Sequence, residues 1–386
     1  MSPANRVRME ISEAAVLANI ASVRRLVDPA TVLMGVVKAD AYGHGLVSFS
    51  RLLVRHGVEQ LAVAHAEEAF RLRDAGIDAP VLVLNHAPTA DLPGLLRAGI
   101  RQAVYGEAQA RAVSRAARAL GCPARIHVKV DTGLSRFGFS SGNLAPLARI
   151  AALDNVVVEG FHTHLASAEE DVADRQLSLF DDACRRATGL LGYRPTRHAL
   201  ASAAIAAGLH GRAPLEMVRP GILLCGLPPS YTASDVPGDA GRFQPVLSMT
   251  SRIEQIRSVA AGTRIGYGAA HVTSAPATIA IVPVGFADGL PRALADSGRV
   301  IVARRYAPIV GPVGMGHLTL DVTGIPGVST GDEVVLLGSD GHRRLGIQDW
   351  AAAAGTINTD VLVRLASAAP RVVRPLSEVI EQECYV

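Results

Sequence analysis

The chain has 386 residues, 49% apolar, 19% charged and 4% aromatic, proportions of a globular chain and not of a disordered, collagenous or coiled-coil one. A formal net charge of +3, with the basic residues scattered, leaves no phosphate-binding stripe for nucleic acid and implies no acidic macromolecular partner. Four cysteines, Cys122, Cys184, Cys225 and Cys384, stand far apart without CxxC spacing, which argues against a disulfide framework or zinc knuckle and fits a reducing cytoplasm.

Residues 1–11 carry Arg6, Arg8 and Glu10 and no apolar segment, so neither a signal peptide nor a membrane anchor is expected there. From residue 10 to about 230, short β-branched runs alternate with longer segments rich in Ala, Leu and Arg, the rhythm of repeated βα units. Strands are predicted over 32–37, 61–64, 80–84, 101–104, 126–130, 156–161 and 221–225, with helices over 13–26, 67–74, 107–120 and 171–191. The strands are continuous apolar runs, as when both faces of a parallel strand are buried. About eight units over this length favour a closed (β/α) barrel over an open doubly wound sheet. After the turn-rich segment 228–241, strands follow without intervening helices, over 246–259, 277–284, 299–303, 317–322 and 333–337. A short helix over 347–354, ended by Gly355, interrupts them. The chain therefore reads as α/β: an eight-stranded (β/α) barrel over 1–237, followed by a β-rich domain over 238–386.

Of the 38 basic residues only two are lysines, Lys38 and Lys129. A guanidinium keeps its proton at any working pH, whereas an amine can lose it and act as nucleophile, base or Schiff-base partner. Lys38 closes the apolar run 32–37 and opens a loop, the position from which an α/β barrel supplies its catalytic groups. The pair Gly43 and Gly45 is no dinucleotide loop, because Ser48 occupies the third glycine position. His162 and His164, two apart at a strand end, point to the same side as in barrel metallohydrolases. His44, His198 and Asp131 do not complete a convincing ligand set around them.

The run Val36-Val37-Lys38-Ala39-Asp40-Ala41-Tyr42-Gly43-His44-Gly45 resembles the pyridoxal phosphate lysine motif of the alanine racemase family. The resemblance continues through Lys129-Val130-Asp131-Thr132-Gly133-Leu134-Ser135-Arg136, His162-Thr163-His164, Met217-Val218-Arg219-Pro220-Gly221-Ile222, Gly266-Tyr267-Gly268 and Gly285-Phe286-Ala287-Asp288-Gly289, in the family's order. It implies a barrel plus a C-terminal β domain, a homodimer with active sites at the subunit interface, pyridoxal 5′-phosphate as cofactor and an amino acid as substrate. It further implies that Lys38 holds the cofactor covalently and serves one face of the substrate. Tyr267 of the second subunit would serve the other face, so its hydroxyl, with an unperturbed pKa of about 10, needs a neighbour that stabilises the phenolate. Read alone, Tyr267 is a turn tyrosine of the β domain. Arg219 would face the pyridine nitrogen and keep it unprotonated. His164 and His198 would support Arg219 and Tyr267, while Tyr42, Ser202, Gly221 and Ile222 would hold the phosphate. Arg136 and Met315 would meet the substrate. Lys129 would stand beside Arg136, carbamylated as in some family members, or form an ordinary ion pair with Asp131 or a neighbour.

The sequence departs from the family in four places. Gly316 stands where an aspartate is expected, Thr359 and Phe286 replace tyrosines, and Pro312 replaces an arginine. Loss of bulk at the phosphate side and the gate implies a wider pocket, looser cofactor retention, or both. The expectation is an amino-acid racemase acting on alanine and on bulkier or α-substituted amino acids. The rivals are a decarboxylase of the same barrel, which would place a cysteine opposite the lysine, and a barrel metallohydrolase.

Overall fold

The computed structural model of the chain describes residues 6–213, 215–229, 243–295 and 297–376, so the boundary expected at 237/238 lies outside the described residues. The first strand, β1 (Val7–Ser12), runs into the helix Glu13–Arg24, whose first turn is capped by the Ser12 hydroxyl accepting from the Ala15 N–H. The barrel strands follow: β2 (Val32–Val36), β3 (Gln60–Val63), β4 (Val81–Val83), β5 (Arg101–Val104) and β6 (Ala124–Asp131), the last also pairing with the short β7 (Phe139–Ser140). Then come β8 (Val156–His162), β9 (Thr196–His198) and β10 (Met217–Val218). Side by side they run β10-β2-β3-β4-β5-β6-β8-β9, every pair parallel, and a parallel bridge from Ala201 to Arg219 nearly closes the cylinder.

Because side chains alternate along a strand, every second residue points into the cylinder. On β2 to β5 and β10 the inward residues Met34, Val36, Ala62, Leu82, Ala103 and Met217 are apolar and pack as one cluster. On β6, β8 and β9 they are polar, with His127, Lys129, His162 and His198 all buried. The barrel interior therefore has an apolar side and a polar side, the latter built from three imidazoles and an amine.

The second domain contains β11 (Leu247–Arg252), β12 (Gln255–Val259), β13 (Arg264–Ile265), β14 (His271–Val272), β15 (Ala277–Val282), β16 (Arg299–Val302), β17 (Arg305–Pro308), β18 (Leu318–Asp321), β19 (Glu333–Asp340), β20 (Arg343–Leu345) and β21 (Arg371–Arg374). One sheet runs β17-β16-β19-β11-β1-β21 with β20 beside β19, and a smaller one runs β12-β15-β18. Helices over Ile347–Ala353 and Asn358–Arg364 sit between β20 and β21, and Gly355 takes φ of +62° just past the first of them.

No strand is predicted over 7–12, and two predicted strands change. β1, inside the segment 1–237 assigned to the barrel, does not join it; it pairs antiparallel with β11 and parallel with β21, so the second domain is built from both ends of the described chain. The predicted strand 221–225 is a series of turns, and the eighth barrel strand lies earlier, at Met217–Val218. Pro220 has no N–H to extend the ladder, and the Gly221 and Leu223 amides donate instead to the Ser202 hydroxyl. The predicted strand 246–259 divides at Ile253 and Glu254 into β11 and β12, which belong to different sheets.

Candidate active site

Lys38 follows β2 after one intervening residue, Val37, and the four residues after it, Ala39, Asp40, Ala41 and Tyr42, have φ between +53° and +54°. A left-handed turn of L-residues costs roughly 1–2 kcal/mol per residue, so surrounding contacts must hold it. They come from several directions. Glu68 accepts from the Ala39 N–H at 2.6 Å and from the Ala64 and His65 amides. Asp40 accepts from the Leu46 amide, and the buried His44 donates through Nδ1 to the carbonyls of Ala41 and Tyr42. From the second domain, Arg371 donates to the Gly43 carbonyl at 2.6 Å. Gly43 itself has φ of +78°, and a Cβ there would stand 2.2 Å from the Leu362 carbonyl oxygen. The turn is thus clamped between the barrel and the helix Asn358–Arg364.

It borders a cavity of about 710 Å³ at the C-terminal ends of the barrel strands. Lys38, Tyr42, Lys129, Arg136 and His164 line it, as do Ser202, Arg219, Gly221 and Ile222. His198 stands behind Arg219, accepting at Nδ1 from its guanidinium at 2.8 Å. Arg219 also donates to the carbonyls of Thr163 and Ala199 and lies 3.4 Å from His164 Nδ1. Tyr267 and Met315 do not line this cavity. Tyr267 lies in the second domain with 86% of its surface exposed and Met315 with 67%.

The cavity is electropositive. Burial holds the Lys38 amine below its ordinary range, with Arg136 lowering it further and Glu68 opposing. Burial also brings Lys129 to about 8, again helped by Arg136 and Arg219. Arg219, fully enclosed, falls to about 10 and so keeps its proton at neutrality. Burial and the Arg219 charge lower His164 to about 3 and His162 well below its usual value, leaving both imidazoles neutral. Such a site favours anions.

Several neighbours carried no local sequence signal: Glu68, Arg371, Asn85 and Asp360, of which the last two line the cavity. Phe137, next to Arg136, also lines it; its ring stacks on Tyr105 at 4.8 Å and lies 5.4 Å from the Lys129 amine. The ion pair weighed for Lys129 and Asp131 is not found among the described residues; Asp131 accepts instead from the Gly133 and Ser135 amides. Thr359 lines the cavity, and a Cβ at Gly316 would meet nothing within 4 Å. Among the described residues no cysteine lines the cavity and no group of three His, Cys, Asp or Glu is arranged to hold a metal. Asp288 of the Gly285–Gly289 motif is buried, accepting from the Gly285 amide and from Arg6, and so shapes the loop that carries Phe286.

The chain matches the family described as alanine racemase, N-terminal domain, over residues 11–229, and that described as alanine racemase, C-terminal domain, over 246–373. It is 40% identical to an alanine racemase of Syntrophobacter fumaroxidans over 361 residues, 92% of this chain and 93% of the relative. It is 35% identical to that of Methanococcus maripaludis, covering 94% and 97% of the two chains. The solved alanine racemase of Streptomyces lavendulae superposes with a TM-score of 0.89 at 32% identity, over 97% of this chain and 98% of that one. A histidine racemase of Leuconostoc mesenteroides superposes at 0.86 with 26% identity, over 97% and 99%.

Proposed function

The chain belongs to the alanine racemase family and is an amino-acid racemase using pyridoxal 5′-phosphate, and from that premise we propose that Lys38 and Tyr267, the latter from a second copy of the chain, are its two proton-handling groups. The cavity residues fit the cofactor. A primary amine, a donor-only guanidinium and two hydroxyls border one cavity, and Gly221 leaves a cradle in which a Cβ would stand 2.6 Å from the Tyr42 hydroxyl. When bound, pyridoxal phosphate supplies the electron sink that lets the substrate's Cα hydrogen leave as a proton.

Lys38 would hold the cofactor and, once its amine is free, take or return the proton at Cα from its own face. Its lowered affinity for a proton, caused by burial and Arg136, suits a base. Arg219 would hold the ring nitrogen by donating a hydrogen bond without giving up a proton. Ser202, Tyr42, Gly221 and Ile222 would hold the phosphate, and Arg136 the substrate carboxylate, for which its planar fork is shaped. Lys129, whose amine gives up its proton more readily than an ordinary lysine because of burial and Arg136, would sit beside Arg136; carbamylation of the amine belongs to this reading.

Inversion needs a second group on the opposite face, and Tyr267, the residue the family motif assigns there, does not line this chain's own cavity among the described residues. That incompleteness carries the proposal: Tyr267 stands 86% exposed on the second domain. Near it the loops around Pro312 and Met315 are joined, Gly266 packing on Pro312 and Ala287 donating to the Met315 carbonyl. With Val272 53%, Phe286 38% and Met315 67% exposed, this apolar surface suits a head-to-tail homodimer in which Tyr267 and Met315 complete the partner's cavity. A cytoplasmic location accords with the free Cys122, Cys184 and Cys225. Thr359 and Gly316 support a substrate range beyond alanine, toward larger side chains.

The test is chiral analysis of a panel of L-amino acids with added pyridoxal phosphate in deuterated water. Expected are deuterium at Cα and racemisation of alanine, serine and larger amino acids, both abolished by Lys38→Ala. Strict preference for alanine would refute the widened pocket, and absence of exchange with every substrate would refute the site.

A further inference from the structure

Arg219 is buried, yet among the described residues its hydrogen-bond partners are carbonyls and imidazoles, with no carboxylate. Its charge is answered from further away. His198, which accepts from Arg219 at Nδ1, lies with Nε2 2.8 Å from Nδ1 of His127, and His127 Nε2 lies 3.3 Å from the Glu159 carboxylate. His127 and His198 are both buried, and burial lowers the proton affinity of each, so each ring is neutral and carries one N–H.

The direction of every bond in this line follows from its two ends. A guanidinium only donates, so His198 accepts at Nδ1 and bears its hydrogen on Nε2. That hydrogen is donated to His127 Nδ1, which leaves the His127 hydrogen on Nε2, pointing at Glu159. An ionised carboxylate only accepts. Donor end, two neutral rings and acceptor end agree at all three contacts.

The backbone is shaped to make the line. Along β6 and β8 the register jumps: Ile126 faces Val158, but His127 faces Gly160, so Glu159 is the extra residue of a β-bulge. Bulges re-aim side chains. Gly160 gives the imidazole its room, since a Cβ there would stand 2.3 Å from His127 Nδ1. At the outer end Arg101 and Arg125 hold the carboxylate at 3.0 and 3.1 Å. Arg101, Ala124 and Arg125 start their strands, so Glu159 belongs to the N-terminal end of the barrel, opposite the cavity mouth.

We propose that Glu159 and His127 are positioning residues for Arg219, fixing through His198 the tautomer that lets the guanidinium sit charged and correctly turned toward the cavity. Were the His127 hydrogen on Nδ1, His198 would have to carry its own on Nδ1, and an N–H would face an N–H of Arg219. The inference rests on the reading that Arg219 holds the cofactor ring. It makes the base of the barrel part of the active site's electrostatics, where a structural role alone would be the ordinary expectation.

The experiment uses the full chain loaded with pyridoxal phosphate and labelled with nitrogen-15 histidine. Expected in the wild type are His198 and His127 both in the Nε2–H form. In Glu159→Gln, the His127 tautomer becomes mixed, the bound cofactor's absorption band shifts, and kcat falls about tenfold with KM within about twofold, as when a histidine loses its orienting partner. Arg125→Ala, which removes an outer contact from a half-exposed side chain, keeps the wild-type tautomers and absorption. A wild-type His198 protonated at Nδ1 overturns the proposal, as does a Glu159→Gln protein with wild-type tautomers, absorption and kcat. The wild-type tautomers need no variant to fold. They are also read independently of turnover, so failure of the racemase reading, seen as no Cα exchange by the wild type, is distinguishable.

Discussion

Lys38 and Lys129 are the only lysines in a chain with 38 basic residues, and both amines border the same cavity. Arginine meets every other need for positive charge, so the two survivors mark where a group able to be neutral is wanted. For Lys129 this has a measurable cost. Burial and the neighbouring Arg136 bring its pKa from 10.5 to about 8, so between those values the unfolded chain binds the proton that the native one has lost. Stability therefore rises with pH across that window. Lys129→Met is expected to be more stable than the wild type at neutral pH, with the electrostatic part of that difference closing as pH rises from about 8 toward 10.5; urea unfolding of the cofactor-free proteins at several pH values measures it. A difference that stays constant with pH would show that packing alone produces it.

At the scale of the element, the turn after β2 joins sequence to chemistry. Four consecutive residues with positive φ aim the Lys38 amine into the cavity, and Glu68, His44 and Arg371 hold a conformation that isolated L-residues avoid. Gly43 ends the turn at φ of +78° against the Leu362 carbonyl. Gly43→Ala would strain the backbone and push the helix Asn358–Arg364 away. The expected loss is roughly 1–3 kcal/mol of stability, with weaker cofactor retention, read from the denaturation midpoint and from pyridoxal phosphate titration. An unchanged midpoint would mean that the two domains are not locked here.

At the scale of the whole molecule, the second domain does two things. Its sheet takes in β1, and Arg371 reaches back to the Gly43 carbonyl, so the turn that carries Lys38 depends on residues more than three hundred positions away. It also displays Tyr267 away from this chain's own cavity. If that tyrosine serves a partner, an equal mixture of Lys38→Ala and Tyr267→Phe subunits, exchanged under mild denaturant, recovers about one quarter of wild-type activity. The reasoning is that half the dimers are mixed and one of their two sites is intact. Each variant alone fails to racemise. Recovery well below that level would place the tyrosine and the lysine in the same chain.

The sequence by itself determined the alternation of strands and helices through the barrel, the change to a β-rich domain, and Lys38 at a strand's end, because burial of parallel strands and helix periodicity leave local patterns. The chemistry of amine against guanidinium was likewise legible in two residues. Other features are decided by contacts distant in the chain. An apolar run such as 221–225 has the same composition whether it becomes a strand or a set of turns; Pro220 and the Ser202 hydroxyl decided that. The placement of β1 in the far sheet, the left-handed turn clamped by Arg371, and the line from Arg219 through His198 and His127 to Glu159 all join segments that no local pattern connects. Periodicity reports which face of an element is buried, and only the tertiary structure decides what that face is buried against.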